Sequence, residues 1–531
     1  MMITKSGKTL KINGNYLAHD GRIIKGQIIV ENGIIQDIKK PETKKIPDDS
    51  SITLDLDEND IVFPGFLNLH THIDYNTIPI WDSVKAPWNN RFEWRKDPGY
   101  LNDIKNVIGC ITNQWKQKND PSSDCIKNRE KILQDDKNWR PIDTVFTVTS
   151  EIQAISGGTT CIQEMIGLEH DNPDHSPNIL IRSTASASDL DFPQDKIIFS
   201  VIDFYRPSPS STEIPVKTDS LDIFDKGVKK GNIISTLFHL AEGRSGFLNM
   251  DQKFDKYSRN EFEEFMKHIR SFERQKIIPM HLSIIHGCGI DVGNKDHIKF
   301  LKHYQISVLW APISNLLLYK DTLCISKLLK QGVNVALGSD WSPSGGKHIL
   351  EEARFALWFV NLFDKEIKSY DIFKMITTNA AKCLGIGRVG EIKIGNFADF
   401  LIFTKPNPES DAITALLSPV SNDDSIKCVI VNGRIVYGNK KTFVDLKIDY
   451  QPLPEEGNSA KNKGVSLNSS LDFVMGRDIK RIEFFLKNNI YRSWNRSHFL
   501  ATDDKEYLSR LEKLKNDISR KSIQVKKFYG L

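Results

Sequence analysis

The sequence predicts an α/β protein: a (β/α)8 TIM-like barrel, with a small β-sandwich built from both terminal regions and a helical C-terminal extension. Three observations predict it. The chain has 531 residues, which suits a barrel of roughly 250–400 residues with something smaller attached. Apolar strand-like runs alternate with helix-like stretches through its middle, a pattern that favours a parallel sheet. Short alternating runs with Asn-Gly and Asp-Gly pairs flank that middle, as antiparallel hairpins do.

Residues 1–60 hold "LKINGNYLAHDGRIIKGQIIVENGIIQDI", with turn pairs at 13–14, 20–21 and 32–33. They read as small antiparallel strands, the first part of the sandwich. The barrel is expected over 61–387. Its strand candidates are 61–69, 159–163, 178–183, 196–202, 233–239, 281–286, 306–311 and 333–338, with helical stretches such as 260–274 and 348–363 between some of them. A charged insert at about 97–155 is expected to be helical in part. Residues 204–220, "FYRPSPSSTEIPVKTDS", read as an exposed loop because proline and serine dominate. Over 388–450 the strand-and-turn style returns in "GEIKIGNFADFLIF" and "KCVIVNGRIVYGNK", the second part of the sandwich. Residues 451–531 are a linker followed by helices at about 472–490 and 503–520. In the last of these Tyr507, Leu511, Leu514 and Ile518 form one stripe, suited to packing on the protein or on a second copy.

Composition narrows the classes. No apolar run approaches the roughly 18 residues of a membrane span, and the first residues lack a secretory pattern. Seven cysteines without CxxC spacing suit a reducing, cytoplasmic setting. The net charge of +4 names no partner. From Gly457 onward 16 Lys/Arg stand against 8 Asp/Glu, so the tail is basic, as a solvated helical surface would be. A small-molecule substrate is expected, with no nucleic acid, no membrane and a possible homo-oligomer.

The chemistry gathers where apolar runs stop. "PGFLNLHTHIDY" (64–75) ends a buried-looking run in His70 and His72. On a strand, residues two apart share a face, so the two imidazoles can serve one ion or simply cap a core strand. "TLFHLAEG" ends in His239 with Glu242 three residues on; "SIIHGCGID" ends in His286; "VALGSDWSPSG" ends in Asp340. Four such endings in barrel order point to one convergent site at the C-terminal mouth. His70, His72, His239 and Asp340 offer three nitrogens and one carboxylate to a divalent ion. Such an ion brings the pKa of a bound water from 15.7 towards roughly 7. Asp340 can take the water's proton, His286 can hydrogen-bond the nucleophile or substrate, and Glu242 can protonate a substrate nitrogen. No PCxxC, GxxxxGK or GxSxG pattern offers a rival chemistry.

As a set these motifs resemble the amidohydrolase superfamily, over roughly residues 10–440. The carriers are PGFLNLHTH, "GGTT" (157–160), HLAE, the later His-Gly, "APISNL" (311–316), GSDW and "TTNAAKCLGIGRVGEIKIGNFADFLIF" (377–403). HxxE after the fifth strand with histidine on the sixth is similar to the mononuclear branch of guanine and S-adenosylhomocysteine deaminases and triazine chlorohydrolases. The resemblance implies metal ligands at His70, His72, His239 and Asp340, acid–base catalysis by Glu242 and orientation of the nucleophile by His286. It implies one ion, Zn2+ first and Fe2+ or Mn2+ as substitutes. A bridging lysine of two-metal members is not matched, because Lys196 begins its strand rather than ending it. Glu164 is a carboxylate near the mouth without a role. The implied activity is hydrolysis of a non-peptide carbon–nitrogen bond, by deamination of a small cyclic or heteroaromatic substrate. The alternatives are cyclic-amide opening of the imidazolone type, or a silent assembly subunit.

Specificity is expected from the loop after the first strand, where Trp81, Trp88, Trp94, Arg91 and Arg95 crowd together. With Arg244, Asn315 and Trp341 they are the candidate substrate contacts. Aromatic faces and guanidinium groups suit a planar ring bearing an acidic group, and packing of the loop is the blander alternative.

Overall fold

A computed structural model describes residues 9–41, 51–72, 76, 78, 80–81, 86–105, 150–163, 180–184, 190–193, 195–248, 254–277, 281–418, 425–452, 462–466 and 505–529. The helix at 472–490, most of the expected linker and of the 97–155 insert, and Glu164 lie outside these residues; the parts of the linker that are described, 451–452 and 462–466, carry strand rather than irregular chain.

The N-terminal strands are β1 (Thr9–Leu17), β2 (Ile23–Glu31), β3 (Ile34–Lys39), β4 (Ser51–Asp55) and β5 (Asp60–Pro64). β1, β2 and β3 are antiparallel neighbours. Asn32 and Gly33 turn between β2 and β3 with φ of 52° and 79°, the left-handed pair that a tight hairpin of this kind requires. Asp20 and Gly21 lie between β1 and β2. The expected turn at Asn13–Gly14 is not one: both residues pair within β1, opposite Gln27 and Gly26. Asn13 is held there by cross-strand partners, since its amide donates to Asp55 (2.9 Å) and its carbonyl accepts from Gln27 (2.8 Å).

Every expected barrel run contains a strand. They are β6 (Phe66–Asn68), β7 (Thr159–Ile162), β8 (Arg182–Ser183), β9 (Ile197–Val201), β12 (Ile233–Leu240), β13 (Leu282–His286), β14 (Ser307–Trp310) and β15 (Val335–Leu337). Between β9 and β12 stands a hairpin, β10 (Tyr205–Ser208) and β11 (Ser211–Lys217), in place of the expected loop. Its prolines, 207 and 215, face each other in a two-stranded ribbon, where a missing N–H is tolerated because the outer edges are unpaired. The helices that matter here are α1 (Asp219–Lys230), α2 (Lys256–Arg274), α3 (Lys295–His303), α4 (Pro312–Tyr319), α5 (Ile349–Phe363), α6 (Thr378–Leu384) and α7 (Lys505–Tyr529).

β6, β7 and β8 form one parallel sheet, and β9, β12, β13, β14 and β15 another. A parallel bridge between Thr71 and Asp340 joins them just past β6 and β15. Among the described residues no ladder joins β8 to β9. Alternate side chains sort into two cores, as strand geometry demands. Leu67, Cys161, Ile198, Leu237, Ile285, Leu309 and Ala336 form one cluster with Ala380, Cys383 and Leu384 of α6. Their neighbours Phe66, Ile162, Phe238, Ile284, Val308 and Leu337 belong to the larger cluster that includes the surrounding helices.

The chain then returns through β16 (Phe400–Thr404), β17 (Ile426–Val431), β18 (Arg434–Asn439), β19 (Tyr450–Pro452) and β20 (Lys463–Ser466). β16 pairs with β5, so both terminal regions share one ten-stranded sheet rather than two separate ones. The sheet comes back on itself, because Ala398 N donates to Gly33 O and Ile35 N to Asn396 O, both at short range (2.8 and 2.9 Å). Arg182 in β8 clamps Asp399 at 2.6 Å and lies over the Phe397 ring, fastening this sheet to the barrel strands. α7 runs beyond its expected end at 520. It buries Leu511, Leu514 and Ile518 as the stripe required, and Val525 besides, with Lys515 over Trp358 of α5. No described helix is long and apolar enough to cross a membrane. Cys161, Cys288, Cys324, Cys383 and Cys428 are buried.

Candidate active site

The four strand-end motifs converge. His239 is the penultimate residue of β12 and shares its face with Leu237 of the inner cluster. His286 closes β13 in the left-handed region (φ 67°), and Asp340, past β15, is left-handed too (φ 57°). Such backbone is costly for residues with a Cβ and is commonly kept at functional sites; here it re-aims both side chains where the strands end. His70 and His72 follow β6, pinned by Asp340 N donating to His70 O and His72 N to Asp340 O. Gly338 makes this close approach possible, since a Cβ there would lie 2.3 Å from the His70 Cβ.

His70 Nε2 stands 3.2 Å from Asp340 Oδ1, and His72 Nε2 3.6 Å from the same oxygen. Donor atoms of His70, His72 and Asp340 lie within 4.8 Å of one another, as do those of His70, His239 and His286. The two groups share His70, so His239 joins the cluster beside His70 and His286. His286 Nε2 is 3.6 Å from Glu242 Oε2 and 3.8 Å from Asp340 Oδ2.

Neighbours hold the far side of three of the rings. His70 Nδ1 faces the Gln163 carbonyl (3.4 Å), His239 Nδ1 the Val201 carbonyl (3.4 Å), and His286 Nδ1 the Asn315 carbonyl (2.9 Å). An acceptor at Nδ1 fixes the proton there and turns the Nε2 lone pair inward. Asn315 is oriented in turn, because its amide donates to Thr322 Oγ1. Burial holds His72 down to about 3, helped by His70, and lowers His239 and His286 as well. Burial alone would raise Asp340, but the facing imidazoles, His70 first, leave it below the usual carboxylate range. Neutral imidazoles beside a carboxylate are the donor states a divalent cation requires.

Glu242 is buried, and its Oε1 accepts a 2.5 Å hydrogen bond from Tyr319 Oη. Tyr319 Oη accepts in turn from Trp94 Nε1 at 2.9 Å. Burial and the adjoining Glu242 push the Tyr319 phenol well above its usual range, so it stays a donor. α4 therefore touches three groups of the site: Ser314 donates to Asp340 Oδ2 (2.6 Å), Asn315 holds His286, and Tyr319 holds Glu242. Sequence reading missed Ser314, Tyr319 and Gln163: a serine or tyrosine in a short apolar helix, or a glutamine after a strand, is too common to mark them.

A cavity of about 460 Å³ opens over the cluster. His72, His239, Glu242, His286 and Asp340 line its floor, and Trp94, Tyr100, Trp341, Arg95, Arg206 and Asp203 its walls. Trp94 stacks on Trp341 at 5.4 Å, with Tyr100 edge-on to both. So Trp94, Arg95 and Trp341 stand where substrate contacts were expected. The others do not line this cavity. Arg91 is fully buried and grips Glu261 through two bonds (3.0 and 2.6 Å) and Asp203 through a third. Arg244 donates to the Trp88 and Pro87 carbonyls, which makes it a brace for that loop. Trp88 packs against the main core, Trp81 is buried behind Tyr100, and Asn315 stands behind His286. Sequence gave no sign of Tyr100, Asp203 or Arg206, the last of which lies in the stretch read as a loop.

With fold and site described, comparison with known proteins places the chain. Residues 238–436 match the amidohydrolase family. The 5-methylthioadenosine/S-adenosylhomocysteine deaminase of Thermococcus sibiricus is 24% identical over 438 residues, spanning 80% of this chain and 92% of that one. Among solved structures, an adenosine deaminase from Xanthomonas campestris with bound zinc superposes with a TM-score of 0.54 at 15% identity, covering 91% of this chain and 98% of its own. A guanine deaminase from C. acetobutylicum with bound guanine gives 0.51 at 15% identity, covering 81% and 100%. The structural likenesses define the class as a TIM-barrel-type fold. Over residues 238–436 the chain is similar in sequence to the amidohydrolase family.

Proposed function

We propose that this protein is a hydrolase of carbon–nitrogen bonds that removes ammonia from a small heteroaromatic amine, using one divalent ion. The observation that carries the reading is the meeting of His72, His239 and Asp340 with Glu242 and His286 on the floor of one aromatic-walled cavity, with His70 buried against them. Relatives named as deaminases support it. The residues fit an ion. His70 Nε2 is buried without a hydrogen-bond partner although Asp340 Oδ1 is 3.2 Å away, so both atoms aim at a shared point rather than at each other. His70, His72, His239 and Asp340 would hold the ion, Zn2+ by the borderline softness of the set. When bound it supplies Lewis acidity and an acidified water.

The protein's own groups do the rest. His286, with its proton fixed on Nδ1, presents a basic Nε2 that orients the attacking water, and Asp340 accepts the water's proton. The water oxygen bonds to the ring carbon bearing the amine. The C=N π pair moves onto the ring nitrogen, which takes the proton carried by Glu242; Asp340 then passes its proton to the amine, the new hydroxyl returns one to Glu242, and ammonia leaves behind a carbonyl as the carbon–amine bond breaks. Trp94, Tyr100 and Trp341 exclude solvent and hold the ring plane.

We read the architecture as a closed eight-stranded barrel over 61–387, a sandwich from 1–60 and 388–450 to which the strands ending at Ser466 are added, and a basic extension beyond them, in a cytoplasmic protein. The test is metal analysis with ammonia-release assays over amino-heterocycles. Glu242→Gln is expected to retain the ion and lose turnover by about 10²–10⁴-fold, whereas His239→Ala loses both. Full turnover in Glu242→Gln would remove the acid–base assignment.

A further inference from the structure

The cavity wall beside the aromatic stack is cationic, with the Arg95 guanidinium 5.6 Å from the Trp94 ring centroid. Asp203, just past β9, is met by three guanidinium groups. Arg91 approaches from the buried side (Nε, 3.2 Å), Arg95 bonds both carboxylate oxygens through one nitrogen (3.0 Å each), and Arg206 Nε lies 3.5 Å from Oδ2. Arg91 also pairs with Glu261. Three positive charges therefore face two negative ones in this connected group. Arg91 is sealed in the core, so the surplus belongs to Arg95 and Arg206, the two that line the cavity. The Arg206 side chain is 68% exposed and makes no other ion pair among the described residues. It is carried by β10, and the hairpin is braced on α2, where Asn260 donates to the Glu213 carbonyl (2.8 Å) and Lys256 pairs with Glu213 (3.2 Å). Ser200 and Ser220 add hydroxyl groups to the same wall.

We propose that the substrate of this site carries an anionic oxygen group, a carboxylate or a phosphate, and that Arg206, supported by Arg95, receives it at the cavity mouth. The inference rests on the deaminase reading for the ring but not for the anion. Asp203 keeps the two guanidinium groups aligned; the incoming anion takes up the charge that Asp203 leaves uncompensated. Planar guanidinium forks match carboxylate and phosphate oxygens in this way.

The test pairs neutral and charged probes: adenosine, adenosine-5′-carboxylate and adenosine 5′-monophosphate, with matched neutral and carboxylated aminopyrimidines. Binding is followed by tryptophan fluorescence and calorimetry on the full chain, and ammonia release by assay. At least one anionic probe is expected to bind about tenfold or more tightly than its neutral partner, with an advantage that shrinks as salt rises. Arg206→Ala and Arg206→Glu should collapse that ratio, and Arg206→Lys should restore part of it. The carboxylate and phosphate arms decide between the two sources. A panel in which no anionic member outperforms its neutral partner, or a ratio that persists in Arg206→Glu, overturns the proposal. Tighter anion binding without ammonia release would count against deamination and leave the anion site standing. Equal turnover and KM for charged and neutral probes would do the reverse.

Discussion

Tyr319 gives the site its least conspicuous control. Its hydroxyl accepts from Trp94 and donates to Glu242, so the wall of the cavity and its acid–base group are joined by one oxygen. Hydrogen bonds to charged groups are worth about 1.5–3 kcal/mol. Tyr319→Phe is therefore expected to lower kcat/KM about tenfold or more with the ion retained, which steady-state kinetics and metal analysis check together. Arg91 teaches the opposite lesson. Its place among tryptophans suggests a substrate contact, yet its partner Glu261 lies 170 positions away, and no local pattern could reveal it. Glu261 also accepts from the backbone of Ala241, next to Glu242. Arg91→Met strands a buried carboxylate, at a cost of about 3–5 kcal/mol; denaturant unfolding should register it, and an unchanged midpoint would refute the buried pairing. The imidazoles add a pH dependence to the metal-free protein. His72 is held at about 3, below its ordinary 6.5. Between those values the unfolded chain binds a proton that the native site refuses, so stability rises with pH across that window. Metal-free protein is expected to unfold at lower denaturant at pH 5 than at pH 7.5, with a smaller difference in His72→Asn.

At the level of elements, legibility followed locality. The strands were readable because each is a short apolar run, and His239 and His286 were readable because those runs end on them. Asp340 stood out for the same reason, although its left-handed backbone did not. The β10–β11 hairpin was hidden by Pro207 and Pro215, which argue against a central strand but not against an isolated ribbon. Asn13–Gly14 misled in the other direction: a turn pair by composition became strand because Gln27 and Asp55 satisfy the asparagine. Arg206 was lost along with the hairpin that carries it. Side chains whose meaning depends on a distant partner, such as Asp203 and Tyr319, left no periodic trace.

Across the whole molecule, distant segments are tied to the barrel by a few fastenings. Arg182–Asp399 anchors the terminal sheet, and α7 lies on α5, whose buried Glu352 accepts from Ile313 N at the start of α4 and from Gly346 N past Asp340. The docking of α7 is thus connected to the site through one helix. Ile518→Asp places a carboxylate in its buried stripe, and a loss of about 2–5 kcal/mol is expected. Thermal unfolding checks this, and an unaltered transition would mean that α7 does not need its seat on α5.

Because α4 serves Asp340, His286 and Glu242 from one rigid turn-and-a-half, its spacing is a shared inheritance of all three. Inserting a single alanine after Asn315 would swing Tyr319 around the helix by about 100° while Ser314 and Asn315 kept their hold. Such a protein would still be expected to load its ion and orient its nucleophile, yet would have mislaid the hydroxyl behind its proton donor: a lesion of phase rather than of composition.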